Sequence, residues 1–372
     1  MKIERLTLYK LTLPLVAPFE TSFGAVNERQ TVVVRLEAEG VVGYGECPAD
    51  RRPLYSGEIV DTCALILEDH LAPLVLGRNL DSVDALHEAI APVRGNAFAR
   101  AALEAAHADA LAKSQGRPLW RFHGSERREV EVGVSVGIHP TVGELLDRIA
   151  AYLEDGYRRI KIKIKPGWDV DVAAAVRERF PSIGLMVDAN AAYTLADADH
   201  LRGLDELDLM MIEQPFHHTD LVDHAAFQRL VKTPVCLDES ITDLSLARAA
   251  LELGAMQIVN IKPPRVGGLR EARAIHDTCR DRGVPVWCGG LLECGIGRAH
   301  NLALATLPGF TLPGDLSASS RYWAEDVIEP EVTMEKNGTI RLSDRPGIGY
   351  EVVESRLRAR AESIRELSAG SR

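Results

Sequence analysis

Five charged residues recur through the middle of the chain at nearly constant intervals. They are Lys163, Asp188, Glu213, Asp238 and Lys262, separated by 25, 25, 25 and 24 residues. Each closes a short apolar run: "RRIKI", "GLMV", "LMMI", "VCL" and "QIVNI". A single acid in such a place is ordinarily a cap for the next helix. Five ionisable groups at matching places ask for a common reason. Three carboxylates brought together repel one another and raise each other's pKa unless a cation joins them. An all-oxygen donor set open to solvent suits Mg²⁺, with Mn²⁺ the alternative. A buried lysine beside such a cation has a depressed pKa and can act as a base. A metal holding a carboxylate between two amine bases is what proton abstraction next to that carboxylate needs.

The elements that must position these groups follow from periodicity. In Arg158–Asp169, Lys161 and Lys163 alternate with Ile160, Ile162 and Ile164. Alternation with period two is a strand with two unlike faces. From Val130 onward, short apolar strands alternate with amphipathic helices such as 245–253 and 269–282. Eight such strands of matched length predict a (β/α)₈-type barrel, with an open doubly wound sheet as the rival. In a barrel the outward face meets the helices and must be apolar, so the isoleucines point out and the lysines point to the axis. By the same alternation Asp188 shares its inward face with Asn190. The carboxyl end of the strands is where barrel sites are built. Before Val130, strand-like 3–13, 31–37 and 41–46 surround a long loop at 14–30, and helices fill 57–115. After about Ala324 the barrel grammar stops, giving way to a "KNGT" turn and a charged final helix. The expected organisation is an α+β capping domain (1–128), a barrel (129–323) and a C-terminal segment (324–372) that returns to the cap.

Bulk properties bound the partners. A formal net charge of −11 disfavours nucleic acid and anionic membranes. No apolar run reaches transmembrane length and the N-terminus does not read as a signal peptide. Six scattered cysteines without C-x-x-C spacing predict a reduced, cytoplasmic protein with no zinc site.

These residues meet a family. "FETSFG", "RRIKIKIKPGWDV", "VDANAAYTLADA", "IEQP", "CLDES", "IVNIKPPRVGG", "VPVWCGGLLECGIGRAHN" and "LPGDLSASSRYW" resemble the o-succinylbenzoate synthase / N-succinylamino acid racemase family of the enolase superfamily, in its muconate-lactonizing subgroup. Members of that superfamily pair a Lys or His base with Mg²⁺. The resemblance implies Asp188, Glu213 and Asp238 as metal ligands and Lys163 with Lys262 as the acid/base pair. It makes Lys161 a partner of Lys163 and of the substrate carboxylate. It places the loop around Phe19 and Phe23 over a small-molecule carboxylate, and it suggests a homo-oligomer built of dimers. Two reactions are implied. One is dehydration of 2-succinyl-6-hydroxy-2,4-cyclohexadiene-1-carboxylate through an enediolate, a step of menaquinone synthesis, which needs one base. The other is racemisation of N-succinylamino acids, which needs both lysines. Arg265, three residues after Lys262, would tune that lysine from behind, and the resemblance links an arginine there to racemase activity.

Other residues carry two readings each. Asn190 either caps a helix or touches substrate. Ser135 faces inward or fills space. Gly290 lets backbone approach a ligand, and Glu293 follows it in the same loop. Glu239, next to Asp238, should point away from it and be structural. His217 and His218 are adjacent, so their side chains diverge and a solvated loop is expected. Arg51, Arg52 and Tyr55 could reach an anionic substrate from the cap. Rival functions are a class I aldolase, which leaves the carboxylates unused, and a muconate cycloisomerase, whose cap loop fits less well. A dipeptide epimerase would want D-x-D where this chain has Asp315-Leu316-Ser317, and a non-catalytic barrel would need no lysines.

Overall fold

The computed structural model describes residues 1–21 and 24–370. Its first element is a long antiparallel hairpin, Ile3–Thr21 against Gly24–Ala38. The described residues of the expected loop, 14–21 and 24–30, are therefore an arm of paired strands. Leu13 pairs with Arg29 and Phe19 with Val26, with a shift in register between Pro14 and Phe19. The proline cannot donate to the ladder, so the interruption falls where the sequence demands it. Phe23, expected over the site, lies outside the described residues. A tight turn at Glu39 and Gly40, both with positive φ, leads into Val41–Cys47.

The alanine-rich helix Ala97–Ser114 packs across this sheet. The approach is close: a Cβ on Gly45 would lie 2.1 Å from the carbonyl oxygen of Ala102. Glycine on the strand and alanine on the helix are what allow it. The chain's end supplies the fourth strand of the sheet. Ala361–Ser368 pairs antiparallel with Ile3–Thr21, so only Glu354–Arg360 of the expected final helix is helical. Burial in the strand alternates poorly and the segment is charged, as suits a sheet edge.

The second body is an α/β barrel. Seven parallel strands lie side by side in chain order: Val134–Val136, Arg159–Lys163, Gly184–Asp188, Ile212–Glu213, Val235–Leu237, Ile258–Ile261 and Val286–Cys288. The eighth expected strand is not regular. Residues 310–315 close the ring by isolated bridges, Phe310 to Val286 on one side and Gly314 to Val132 on the other. Pro313 within "TLPGD" removes a donor and accounts for the irregularity. The expected first strand also divides, since Glu129–Glu131 pairs with Thr339–Arg341 of the tail and only Val134–Val136 enters the barrel. Among the described residues no helix is long and apolar enough to cross a membrane.

Candidate active site

Strand parity places the chemistry. Ile160, Ile162 and Ile164 are fully buried in the apolar layer shared with the helices. Lys161 and Lys163, at 3 % and 7 % exposed, point to the axis instead. Beneath the charges the barrel is plugged by Met186, Met211, Cys236, Ile258 and Trp287, which form a separate apolar cluster. The charged groups therefore stand on an apolar floor, where interactions between them are weakly screened.

Lys163, Asp188 and Glu213 are in direct lateral register. Asp238 and Lys262 are not level with them. Glu213 lies opposite Cys236, so Asp238 stands two residues further along its strand. Val259 pairs with Leu237, which carries Lys262 a further two residues up. Steps of two keep every side chain on the inward face. They are the stagger that closing a barrel of tilted strands requires.

The carboxylates and lysines interlock. Lys163 Nζ donates to Asp188 Oδ2 at 2.6 Å and to Asn190 Oδ1 at 2.7 Å. Lys161 Nζ lies 3.0 Å from Glu213, 3.3 Å from Asp188 and 2.6 Å from Asp315. Asn260 donates to the other Glu213 oxygen at 2.7 Å. Lys262 Nζ donates to Asp238 Oδ2 at 2.7 Å, and Arg265 contacts Asp238 Oδ1. Burial and the charges of Asp188 and Asp238 hold the Glu213 carboxyl well above its usual range. Burial also works against charge on Asp238, but Lys262 and Arg265 outweigh it and hold Asp238 well below.

Two of the lysines, Lys161 and Lys262, are ringed by acids. Burial disfavours the charge on Lys262, yet Asp238, Tyr55 and Glu239 outweigh it and its pKa stands above the ordinary value, with Arg265 pulling the other way. Lys161 is likewise raised, by Asp315, Glu213 and Asp188 against burial. In both, the ammonium stands within 3.0 Å of a carboxylate oxygen. Among the described residues no three acidic, histidine or cysteine side chains form a ready-made metal cluster, because the carboxylates are turned onto the lysines. The donor chemistry nevertheless fits a hard divalent ion. The set is all oxygen, and the acids repel one another strongly enough to shift Glu213.

Glu239, expected to be structural, joins the same polar network. It is buried, and Asn190 Nδ2 donates to its Oε1 at 2.9 Å, while Oε2 has no partner among the described residues. Burial and the charges of Asp238 and Asp188 push its carboxyl up to about 7. Alternation ceased to govern it because the strand ends at Leu237. Asn190 is therefore bonded to both Lys163 and Glu239, and it adopts positive φ, which asparagine tolerates.

Ser135 pairs laterally with Lys161 on the inward face, and its buried hydroxyl has no partner among the described residues. Gly290 lines the cavity, and a Cβ there would come within 2.6 Å of the Asp315 carbonyl. Glu293 does not line it; it accepts from Leu291 N–H and from Asn301, and so shapes the loop. His217 and His218 are exposed. Over the site the cap contributes Phe19, Arg29, Arg51, Arg52, Leu54 and Tyr55 to the wall of a cavity of about 170 Å³ that also contains Lys163 and Lys262. Arg159 was not singled out, and Asp315 was weighed only as half of a D-x-D, so their pairing was missed. Arg159 has the same parity as Lys161, a signal available in "RRIKIK", and donates to Asp315 Oδ1 at 2.6 Å. The partner came from 156 residues away and had no local signal.

Residues 5–124 match the mandelate racemase / muconate lactonizing enzyme N-terminal domain, and residues 144–356 match the enolase C-terminal domain-like family. The chain belongs to the enolase superfamily. Within it, the chain is 54% identical to o-succinylbenzoate synthase of Geobacillus kaustophilus, over 95% of this chain and 94% of the relative. It is 52% identical to N-succinylamino acid racemase of Thermus thermophilus, over 95% of each. A solved enolase-superfamily member from Listeria innocua superposes with a TM-score of 0.95 at 39% identity, covering 99% of both chains. The two named relatives are a synthase and a racemase, and the two family models match an N-terminal and a C-terminal part of this chain.

Proposed function

We propose that the protein is a Mg²⁺-dependent o-succinylbenzoate synthase that also racemises N-succinylamino acids. The observation that carries this reading is that Lys163 and Lys262, on the strands flanking the three acids, open into one cavity under the cap. Asp188, Glu213 and Asp238 would hold the cation. When bound, it offsets the acids' repulsion, draws the substrate carboxylate and stabilises charge that develops as the α-proton leaves. In dehydration Lys163 takes that proton, and as the C–O bond breaks it returns the proton to the departing hydroxyl, which leaves as water; Asn190 and Asp188 fix its amine. For racemisation Lys262 serves the opposite face of the same carbon. Lys161 supplies positive charge from below. Phe19 and the cap arginines exclude water and attract the anionic substrate. The free, buried cysteines support a reduced, cytoplasmic setting.

Racemisation as the physiological role is the second reading, favoured by Arg265 standing against Asp238 beside Lys262. The epimerase reading weakens further, because Asp315 is already paired with Arg159 and Lys161. The aldolase reading weakens because it gives no role to Asp188, Glu213 and Asp238, which stand between the two lysines. The test is purified protein with Mg²⁺, assayed for dehydration of the cyclohexadiene substrate and racemisation of N-succinylphenylalanine. Both activities should vanish with EDTA, and Lys163→Ala and Lys262→Ala should each abolish racemisation. Absence of both activities in the native protein would sink the reading.

A further inference from the structure

The two lysines of the site are held by different parts of the molecule. Lys163 is bonded to Asp188 and Asn190, both at the end of the neighbouring barrel strand. Lys262 is bonded to Asp238 of the barrel and also to a residue of the cap. That residue is Tyr55, in the segment "RRPLYSG" that bridges the cap sheet and its helices. Its hydroxyl donates to Asp238 Oδ1 at 2.9 Å and lies 3.3 Å from both Lys262 Nζ and Arg265 Nη1. Its ring faces the same ammonium, with Nζ 4.7 Å from the ring centroid. One side chain thus offers Lys262 both an oxygen acceptor and a π face.

We propose that Tyr55 is the positioning residue of Lys262, so that the cap sets the geometry of one base of the pair and leaves the other to the barrel. This rests on the reading that Lys163 and Lys262 are the two bases. Three contacts from one hydroxyl fix where the Lys262 amine can stand relative to Asp238. Without them the four-carbon stem is free to turn its nitrogen elsewhere in the cavity, since a lysine head is a mobile point charge. No contact of Tyr55 to Lys163, Asp188 or Asn190 is present among the described residues' hydrogen bonds. The consequence is asymmetric chemistry. Abstraction from the face served by Lys262 depends on Tyr55, and abstraction from the face served by Lys163 does not.

The test follows α-proton exchange in D₂O, with Mg²⁺-supplemented protein and N-succinyl-L-phenylalanine or N-succinyl-D-phenylalanine supplied separately. Lys262→Ala identifies the enantiomer that Lys262 serves as the one whose exchange it abolishes. Tyr55→Phe keeps the ring and removes the hydroxyl. It should slow exchange of that enantiomer about tenfold through kcat, the size expected for a lost hydrogen bond to a charged group. The other enantiomer should change less than about twofold. Tyr55→Leu removes the ring as well and should widen the gap. The melting temperature of Tyr55→Phe should match the native protein's, which separates positioning from folding. Equal slowing of both enantiomers would overturn the proposal, because Tyr55 would then act through closure or through Asp238 alone. No slowing of either would overturn it too. Native protein that exchanges neither enantiomer would overturn the two-base reading itself and this proposal with it.

Discussion

Replacing Asp315 by asparagine removes one negative charge from the deepest polar layer of the barrel and nearly nothing else. The carboxylate is buried and makes two contacts of 2.6 Å, one to Arg159 and one to Lys161. Burial works against its charge, but these two cations outweigh it and hold its pKa well below the usual carboxylate range. Each contact is charge-assisted, worth roughly 1.5–3 kcal/mol when a partner is removed. The cations fare differently afterwards. Lys161 keeps Glu213 and Asp188. Arg159 keeps the Pro313 carbonyl and the Trp287 face, with its Nε already unpartnered. A buried guanidinium without a counter-ion is the costly product, so about 3–5 kcal/mol is expected. For a chain of this size that is a fall in melting temperature of about 5 °C. Urea unfolding and calorimetry read both quantities. The freed Lys161 should also lean harder on Glu213 and Asp188, lowering apparent Mg²⁺ affinity about tenfold or more. Adding Arg159→Met to Asp315→Leu should recover much of the lost stability, since an apolar replacement of a whole buried pair is often neutral. A loss below about 1 kcal/mol in the single variant would refute the reasoning, as would a double variant no better than the single.

Three further outcomes follow from the same structure. Gly289→Ala would put a Cβ 2.3 Å from Asn260 Oδ1 and 2.6 Å from Lys262 Cε, so activity should fall at least a hundredfold by steady-state assay while circular dichroism stays native. Gly45→Ala would drive a methyl to within 2.1 Å of the Ala102 carbonyl, and thermal melting should report about 1–3 kcal/mol of destabilisation from prising the sheet off its helix. Burial, with His300 and Arg273 nearby, lowers His123 to about 3 from an ordinary 6.5. The unfolded chain therefore binds that proton first, and stability contributed above pH 6.5 is lost as pH falls toward 3. His123→Leu should flatten the pH dependence of urea unfolding in that window by up to about 1.4 kcal/mol per pH unit.

Much of the site was legible because it is written in local period. Parity within "RIKIKI" fixes which side chains face the axis, and that needs only neighbouring residues. The recurrence of a charge every 24 or 25 residues follows from the length of one strand and helix. Residues whose roles depend on register or on distant partners were not legible. Arg159 carried the right parity, but its meaning depends on Asp315. Glu239 was expected to be structural, but its bond to Asn190 lies past the end of its strand, where alternation gives no guide. The arm at 14–21 and 24–30 and the last strand at 361–368 are weak strand formers alone, and pairing within the sheet decides them.

By itself, then, the sequence determined a barrel with three acids and two flanking lysines on its inner face, because side-chain direction along a strand is a matter of adjacent residues. Only the tertiary structure decided how those charges are shared. Closure of the ring staggered Asp238 and Lys262 upward, brought Asp315 under Lys161, and set Tyr55 of the cap on Lys262. Those pairings depend on the tilt of strands and on segments more than a hundred residues apart, and no local pattern encodes either.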